Sequence, residues 1–554
     1  MKEPADCREG GIPVDRLSEL LGDAVQFSYT ALDRIVLNGY IERLQRTENL
    51  VYFFHEVVGI KCIEPSVLMG RTERYRDWVR QYTTDRGIPV LPAPRGERKE
   101  DLVLSHYERL TENEGVACVL TSMEQGRTFV SYTPRFAPGS GDPNYRLIKS
   151  CHKQFLHYYF YVLDPVMGPM SLRVATYFPF NVTCWLNGHS FMAQELTRQK
   201  IAFDKDDNAF LAAADLEALQ AAADRLGSEL LRERCDYWTS RLAPSFTDRE
   251  RHAIDPAYRY SIGQIELATD VIFHDSARLK ERFRRAVDIG LLLGGAERTT
   301  HLFGRRINRR YKGKLETALD RREEGHPVLR SYYQTSFVKQ YEKSDRLLRT
   351  ETCINNTYHL DIGRRLENLP ALVERMAVTN QRYLDLQAEL LDSTVDTGQF
   401  AALAQPTMLG KRRVPGIKLH DDRVIRLLDT LLHPGGLIAD WTSRDAHARI
   451  ISRHRLAETD YRLSQLRYDL TKLRAKGLVE RIGKTRRYRV TPLGLKLGIV
   501  LVKARTQLLG PLCSLASASQ PRHSTTNPSQ VEITMHQLDA NFNALCESLG
   551  LVAA

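Results

Sequence analysis

The sequence predicts an α+β protein built from several domains. Its 554 residues exceed what one hydrophobic core usually supports, so three or four domains are expected. The apolar fraction of 42% and charged fraction of 27% are those of ordinary globular proteins. Strand-like runs alternate with helical runs in the N-terminal half, which favours α/β units there.

Residues 14–140 are predicted to form an α/β domain. Two strand-like runs, Asp33–Gly39 and Val116–Leu120, flank the helical runs Arg71–Arg86 and Glu100–Leu110. Residues 141–300 are predicted to form a β-β-β-α unit with a helical extension. Its strand-like runs precede a helix that Ser190 is expected to cap, and they are Phe155–Leu163, Ser171–Phe178 and Val182–Leu186.

Two features of this unit suggest chemistry. His157, Tyr159 and Tyr161 share a strand face near Arg173 and Tyr177, so the face could stack nucleic-acid bases, although a plain core is favoured. The helical extension includes Leu211–Trp238 and an amphipathic helix predicted over Tyr260–Phe273. There Glu266 and Asp270 share a face that could hold a metal, and a solvated acidic face is the favoured alternative.

Residues 301–404 are predicted to form a basic hairpin and helical domain. Arg305–Arg349 contains thirteen Lys and Arg against six Asp and Glu, which gives +7 of the chain's net charge of +11. Six of these cations interleave with a tyrosine and a glycine, as expected of a phosphate-binding segment, and they are Arg305, Arg306, Arg309, Arg310, Lys312 and Lys314.

A hairpin is predicted where Ser336–Lys343 and Leu347–Ile354 flank a three-residue polar turn. This register gives two cross-strand pairs on one face, Tyr341 with Arg349 and Lys339 with Glu351. The face has the parts for phosphodiester chemistry: Glu351 as a ligand of Mg²⁺ or Mn²⁺, Tyr341 as nucleophile, and Lys339, Lys343 and Arg349 as phosphate clamps. Ordinary cross-strand ion pairs are the favoured alternative.

The strings Tyr341-Glu342-Lys343 and Leu348-Arg349-Thr350-Glu351 resemble rolling-circle replication initiators. In that family a tyrosine nicks DNA beside a metal-binding carboxylate, so the resemblance implies these roles for Tyr341 and Glu351. The His-hydrophobe-His metal motif of the commoner initiators is missing, because His157 has no partner at that spacing.

Residues 417–512 carry the clearest pattern. Three helical runs, the last with leucines at Leu463, Leu466, Leu470 and Leu473, precede a glycine, two short strands and a helix opened by Pro492. The string Leu470–Arg481 resembles bacterial winged-helix DNA-binding regulators, which implies a winged-helix domain. Its third helix is expected to present Arg462, Gln465, Tyr468 and Lys472 to bases, and its wing is expected to present Lys484, Arg486 and Arg487 to phosphates. Protein docking is the alternative use of such a domain.

A flexible linker is predicted at 513–531 and a terminal helix at 532–554. The whole chain resembles a large group of uncharacterised bacterial proteins, through Tyr158-Tyr159-Phe160-Tyr161, Leu186-Asn187-Gly188-His189 and Gly304-Arg305-Arg306. The pI near 9.1 favours polyanionic partners, and no membrane segment, disulfide framework or zinc motif is evident.

The expected partner is therefore DNA, with RNA or single-stranded nucleic acid as alternatives, and the expected location is the cytoplasm. Two functions follow from these patterns. One is DNA processing by metal-dependent strand nicking, and the other is a non-catalytic DNA- or RNA-binding regulator.

Overall fold

A computed structural model describes most of the chain. The described residues are 24–93, 99–110, 112–133, 146–244, 246–277, 279–280, 316–321, 327–391, 402–410, 412–417, 421–433, 440–503 and the single positions 505 and 537. The basic run from Arg305 to Lys314, the predicted linker 513–531 and, apart from position 537, the predicted terminal helix lie outside these residues.

The described residues form a mixed α/β structure. The strands are β1 (Val25–Ile41), β2 (Val90–Pro92), β3 (Gly115–Tyr132), β4 (Leu147–Asp164), β5 (Gly168–Ala175), β6 (Val182–Asn187), β7 (Phe203–Asp206), β8 (Ala209–Ala213), β9 (Tyr258–Phe273), β10 (Glu316–Arg321), β11 (Pro327–Tyr333), β12 (Ser336–Lys343), β13 (Leu347–Ile354), β14 (Thr407–Leu409), β15 (Arg412–Val414), β16 (Trp441–Thr442), β17 (Val479–Arg481) and β18 (Arg487–Val490).

The helices are α1 (Thr47–Tyr52), α2 (Pro65–Asp85), α3 (Lys99–Tyr107), α4 (Gly188–Arg198), α5 (Leu216–Asp224), α6 (Ser228–Leu242), α7 (Asp248–Ile254), α8 (Leu369–Leu391), α9 (Asp422–Leu431), α10 (Ser443–His454), α11 (Leu463–Ala475) and α12 (Pro492–Lys503). A π-helical turn, Phe53–Val58, continues α1, and short 3-10 turns cover Glu42–Leu44, Thr357–Leu360 and Leu366–Asn368.

One eleven-stranded sheet organises the molecule, in the order β10-β11-β12-β13-β9-β1-β6-β5-β4-β3-β2. Its strands pair antiparallel except β2, which runs parallel to β3. The sheet takes strands from both sides of the predicted domain boundaries near residues 140 and 300. Those three sequence segments therefore contribute to a single structure.

The helix predicted over Tyr260–Phe273 is wrong, because this segment is strand β9. It pairs with β1 on one side and β13 on the other, so its backbone groups are satisfied within the sheet. β-branched and aromatic residues dominate its sequence and favour an extended chain. Glu266 and Asp270 still share a face, since positions four apart coincide on a strand as they nearly do on a helix. Both are buried, so the solvated acidic face is also wrong.

The three strands and the helix predicted for the β-β-β-α unit are present as β4, β5, β6 and α4, and their strands belong to the eleven-stranded sheet. Its helix starts earlier than expected, because Asn187 rather than Ser190 is the cap: the Asn187 side chain accepts a hydrogen bond from Ser190 N at 2.9 Å. The aromatic face on β4 belongs to the core, where buried Tyr159 and Tyr161 pack with residues of α3 and β3.

Helices cover both faces of the central strands. On one face Asn380 of α8 donates to Leu267 O and Thr269 Oγ1 of β9, at 3.0 and 3.1 Å. On the other face lie α4 and the β7–β8 hairpin, whose polar side chains reach the centre of the sheet. The main apolar core joins β1, β4–β6 and β9 to α4, α5, α6 and α8.

The C-terminal region, residues 421–503, forms three helices, a three-stranded sheet ordered β16-β18-β17, and α12. The predicted elements are present here. Asp421 caps α9, Gly477 follows α11 with a positive φ of 68°, and Pro492 opens α12. Buried Leu466, Leu470 and Leu473 form the apolar stripe of α11, as the leucine spacing predicts.

No helix in the described part of the chain is long and apolar enough to cross a membrane.

Candidate functional site

Four carboxylates gather on one face of the central strands. Asp33 comes from β1, Glu266 and Asp270 from β9, and Glu351 from β13, and none exposes more than 8% of its surface. Burying this many acids is costly unless each has a cation, hydrogen bond or shared proton. We call this set of residues the central acidic cluster.

Asp33 owes its position to an irregularity in the sheet. The pairing of β1 with β9 shifts register between Leu32 and Ile35, a bulge that re-aims the side chain. His189 Nδ1 lies 3.0 Å from the Asp33 carboxylate, and Asn208 Nδ2 donates to it at 2.8 Å. Burial would raise the pKa of Asp33, but these contacts hold it well below its usual range.

The string Asn187-Gly188-His189 builds this contact. A Cβ at position 188 would lie 1.9 Å from the Leu32 carbonyl oxygen, so only glycine lets the start of α4 approach β1 this closely. Asn187 caps the helix and donates to Asp33 at 3.1 Å. His189, fully buried, follows as the second partner of the carboxylate.

Arg349 is the main counter-ion of the cluster. Its guanidinium donates to both oxygens of Asp270, at 2.7 and 2.6 Å, and lies 3.7 Å from Asp33. Burial would lower the Arg349 pKa, but Asp270 raises it, and Arg349 in turn keeps the Asp270 pKa low. The expected role of Arg349 as a phosphate clamp is corrected, because the side chain has no exposed surface and is paired internally.

The predicted register of the β12–β13 hairpin is confirmed. Tyr341 pairs with Arg349 and Lys339 with Glu351, and the turn between the strands takes three residues. Lys339 Nζ lies 2.8 Å from Glu351 and 3.7 Å from Glu266. Lys339 and Glu351 therefore form a cross-strand ion pair, which was the favoured interpretation of the sequence.

The pKa shifts of Glu266 and Glu351 are those of two neighbouring carboxyl groups that share one proton. Burial and the neighbouring Glu351 carboxylate raise the pKa of Glu266 to about 8. Burial acts on Glu351 in the same direction, but the charge of Lys339 and a hydrogen bond from Glu266 lower its pKa. At neutral pH Glu266 is therefore the acid of the pair and Glu351 the base, an arrangement used where protons are moved.

Tyr341 and Cys353 both contact the Glu351 carboxylate of the central acidic cluster. The Tyr341 hydroxyl donates to Glu351 at 3.2 Å, and burial together with the Glu351 charge raises the phenol pKa. Cys353 Sγ lies 3.4 Å from Glu351, and burial raises the thiol pKa well above its usual value. Neither group is ionised at neutral pH, so neither is activated as a nucleophile in this arrangement.

Lys343, the remaining expected clamp, points to the β7–β8 turn. Its ammonium lies 2.9 Å from Asp207 Oδ2 and also donates to Asn208 Oδ1. These contacts join β12 to the β7–β8 hairpin, whose Asn208 also contacts Asp33 of the central acidic cluster.

Among the described residues, one set of side chains at this cluster could supply donors to a divalent cation. Oxygens of Glu266 and Glu351 and the sulfur of Cys353 lie within 4.8 Å of one another. Mg²⁺ and Mn²⁺ prefer oxygen ligands, which the two carboxylates supply, whereas the Cys353 sulfur favours Zn²⁺. A cation there would compete with the shared proton and with the Lys339 ammonium. The donor set therefore does not select the Mg²⁺ or Mn²⁺ expected from the sequence.

The C-terminal region presents cations of a different kind. Arg467 and Tyr468 lie on the exposed face of α11, and Lys484 and Arg486 are exposed at the tip between β17 and β18. Among the described residues, Arg467, Lys484 and Arg486 form no ion pair. Such cations are available to a polyanion.

The face predicted for α11 is partly wrong. Lys472 is 7% exposed, and its ammonium lies 3.4 Å from Asp421, so it cannot reach a base. Gln465 is partly buried and accepts a hydrogen bond from Arg462 N, which leaves Arg462 exposed at the start of the helix. Arg487, which the sequence predicted as a wing residue, lies at the start of β18 and donates to Asp361 at 2.6 Å. The sequence did not predict Arg467 as an exposed residue, because the leucine spacing of α11 does not determine which residues beside the leucines are buried.

The sequence also gave no prediction for Asp33 as a member of the central acidic cluster, or for His189 and Asn208 as its hydrogen-bond partners. Asp33 and His189 were separated by more than 150 residues, and only strand pairing brings them together. The available signal was the Asn-Gly-His string after a strand.

Comparisons with protein-family models, curated proteins and solved structures found no match to this chain.

Proposed function

We propose that this protein binds double-stranded DNA through a winged-helix domain formed by residues 421–503. One observation carries the proposal: the order helix, strand, helix, helix, strand, strand, helix, combined with cations on α11 and at the β17–β18 tip that form no ion pair with another described residue. In that fold the third helix enters the major groove and the wing contacts the backbone. Arg467 and Tyr468 are the base-reading candidates, and Lys484 and Arg486 are the phosphate contacts.

The test measures duplex binding by the full-length protein as a function of salt. The double variant Lys484→Ala/Arg486→Ala should reduce the slope of log K against log salt by about 1.8, since each lost phosphate contact removes about 0.9. Arg232→Gln, which breaks a surface pair with Glu367, is the matched control and should keep the slope. Full-length protein that shows no affinity for duplex DNA at low salt would refute the proposal.

A second function, metal-assisted phosphodiester cleavage, is favoured by the proton shared between Glu266 and Glu351 beside Lys339 and Tyr341. A bound divalent ion would supply Lewis-acid stabilisation of the attacked phosphate. The protein's own contribution would be to accept a proton at Glu351 and to hold charge balance through Lys339.

This second function is tested with Mn²⁺ and a labelled DNA substrate. Glu351→Gln should abolish cleavage while retaining DNA affinity, whereas Tyr341→Phe should leave cleavage unchanged, because the raised pKa of the phenol makes water the expected nucleophile. Cleavage without an adduct in the unaltered protein would assign attack to water and exclude Tyr341 as the nucleophile. Equal cleavage by the Glu351→Gln protein would remove the cluster from the chemistry.

A further inference from the structure

A cavity of about 170 Å³ lies between α8 and the C-terminal three-stranded sheet. Three guanidinium groups line it: Arg375 and Arg382 from α8, and Arg487 from β18. Asp361 and Asp440 are the acidic residues of the lining. A concave site lined by several arginines suits a small, multiply charged anion.

Asp440 stands at the centre of this site. Arg375 Nη1 lies 3.2 Å from its Oδ2, Arg382 Nη2 and Arg489 Nε both lie 3.6 Å from its Oδ1, and Arg487 Nη1 donates to its backbone carbonyl at 2.9 Å. Its side chain is only 8% exposed, yet within the described chain Oδ1 accepts no hydrogen bond. Oδ1 faces the Arg382 and Arg489 guanidinium groups at 3.6 Å, and it retains acceptor capacity for a further donor.

Among the described residues that contact one another here, the arginines outnumber the acids. The acids Asp440, Asp361 and Glu480 are contacted by four guanidinium groups, those of Arg375, Arg382, Arg487 and Arg489. Glu480 lies 3.8 Å from Arg489. Burial lowers the pKa of Arg382, and the charge of Arg489 lowers it further despite Asp440. The site therefore carries excess positive charge in a partly desolvated setting, where an added anion gains most.

We propose that this cavity binds the phosphate group of a small phosphate monoester or free phosphate. Phosphate presents acceptor oxygens in several directions, which matches guanidinium groups arriving from α8 and from β18. A monoester phosphate has a second pKa near 6, so it retains a proton part of the time and can donate it to Asp440 Oδ1. An internal phosphodiester of DNA has no such proton, which makes the small ligand the better fit.

Inorganic phosphate is the probe, titrated into the full-length protein by calorimetry at constant ionic strength. Arg375→Gln, at a half-exposed position, and Arg382→Gln should each weaken phosphate binding by about tenfold or more, since each removes a charge-assisted hydrogen bond. Arg232→Gln, in an ordinary surface ion pair, should leave it unchanged. Asp440→Asn should strengthen binding, because it removes a competing negative charge, and a merely unfolded variant cannot produce that gain.

Absence of phosphate binding, or equal binding by the Arg375→Gln and Arg232→Gln proteins, would overturn the proposal. A separate titration with duplex DNA distinguishes the source of the phosphate. A weaker DNA affinity of Arg375→Gln, with no response to free phosphate, would assign the site to the nucleic-acid backbone and reject the small ligand. The proposal is independent of DNA binding, so failure of one leaves the other intact.

Discussion

The central sheet and the C-terminal region use the same residue types in opposite ways. In the sheet, Arg349 and Lys339 are buried and each lies within 3 Å of a carboxylate. In the C-terminal region, Arg467, Lys484 and Arg486 are exposed, and within the described chain none forms an ion pair. A buried cation must give up its carboxylate partner before it can bind an external phosphate, which is costly. An exposed, unpaired cation binds a phosphate with release of counter-ions only.

This difference separates stability from binding. Substitutions in the central acidic cluster should change the free energy of unfolding, and substitutions on α11 and at the β17–β18 tip should change affinity for a polyanion. The two regions can therefore be distinguished by measuring both quantities on the same variants.

The largest effect is expected from Arg349→Met. Removing this guanidinium leaves Asp270 and Asp33 buried without their cation, which should lower the free energy of unfolding by about 3–5 kcal/mol. Chemical denaturation measures the loss, and Arg467→Met is the exposed control, expected to change stability by less than about 0.5 kcal/mol. A loss from Arg349→Met as small as that of the control would show that the ion pair contributes nothing to the fold.

Glu266→Gln should alter the pH dependence of stability. The folded pKa of Glu266, about 8, exceeds its unfolded value of 4.5, so the folded state binds the proton more tightly. Its stabilising contribution is complete below pH 4.5 and is lost as pH rises towards 8. Glutamine imitates the protonated acid, so the variant should lose this decline between those pH values. Exposed Glu367→Gln is the control, and an unchanged pH profile for Glu266→Gln would contradict the shared proton.

Arg467→Ala and Lys472→Ala test which flank of α11 meets DNA. Arg467→Ala should weaken a preferred duplex by about 1–3 kcal/mol if the side chain contacts a base edge, with stability unchanged. Lys472→Ala should instead reduce stability, because it leaves Asp421 without its buried partner, and keep the sequence preference. The reverse result would restore the face predicted from the sequence.

Tyr341→Phe should have the smallest effect, about 1 kcal/mol of unfolding free energy, because one hydrogen bond to Glu351 is lost while Lys339 still neutralises the carboxylate. Thermal and chemical denaturation give the value. A stabilised Tyr341→Phe protein would indicate that the phenol is strained in its present position and held there for chemistry.

Local sequence patterns determined the parts of this protein whose partners are close in the chain. The β12–β13 register followed from a three-residue turn, and the helices and strands of residues 421–503 followed from leucine spacing, Gly477 and Pro492. These features depend on residues within a few positions of one another, where backbone preference and side-chain periodicity are decisive.

Tertiary structure decided the rest. Strand β9 has a sequence compatible with an amphipathic helix, and it is extended because β1 and β13 satisfy its backbone on both sides. The same pairing buries Glu266 and Asp270 and brings Asp33, His189 and Arg349 together across some 300 residues of chain. Sequence identifies which side chains can carry charge, but burial and long-range pairing decide which charges remain available, because both arise only when distant segments pack.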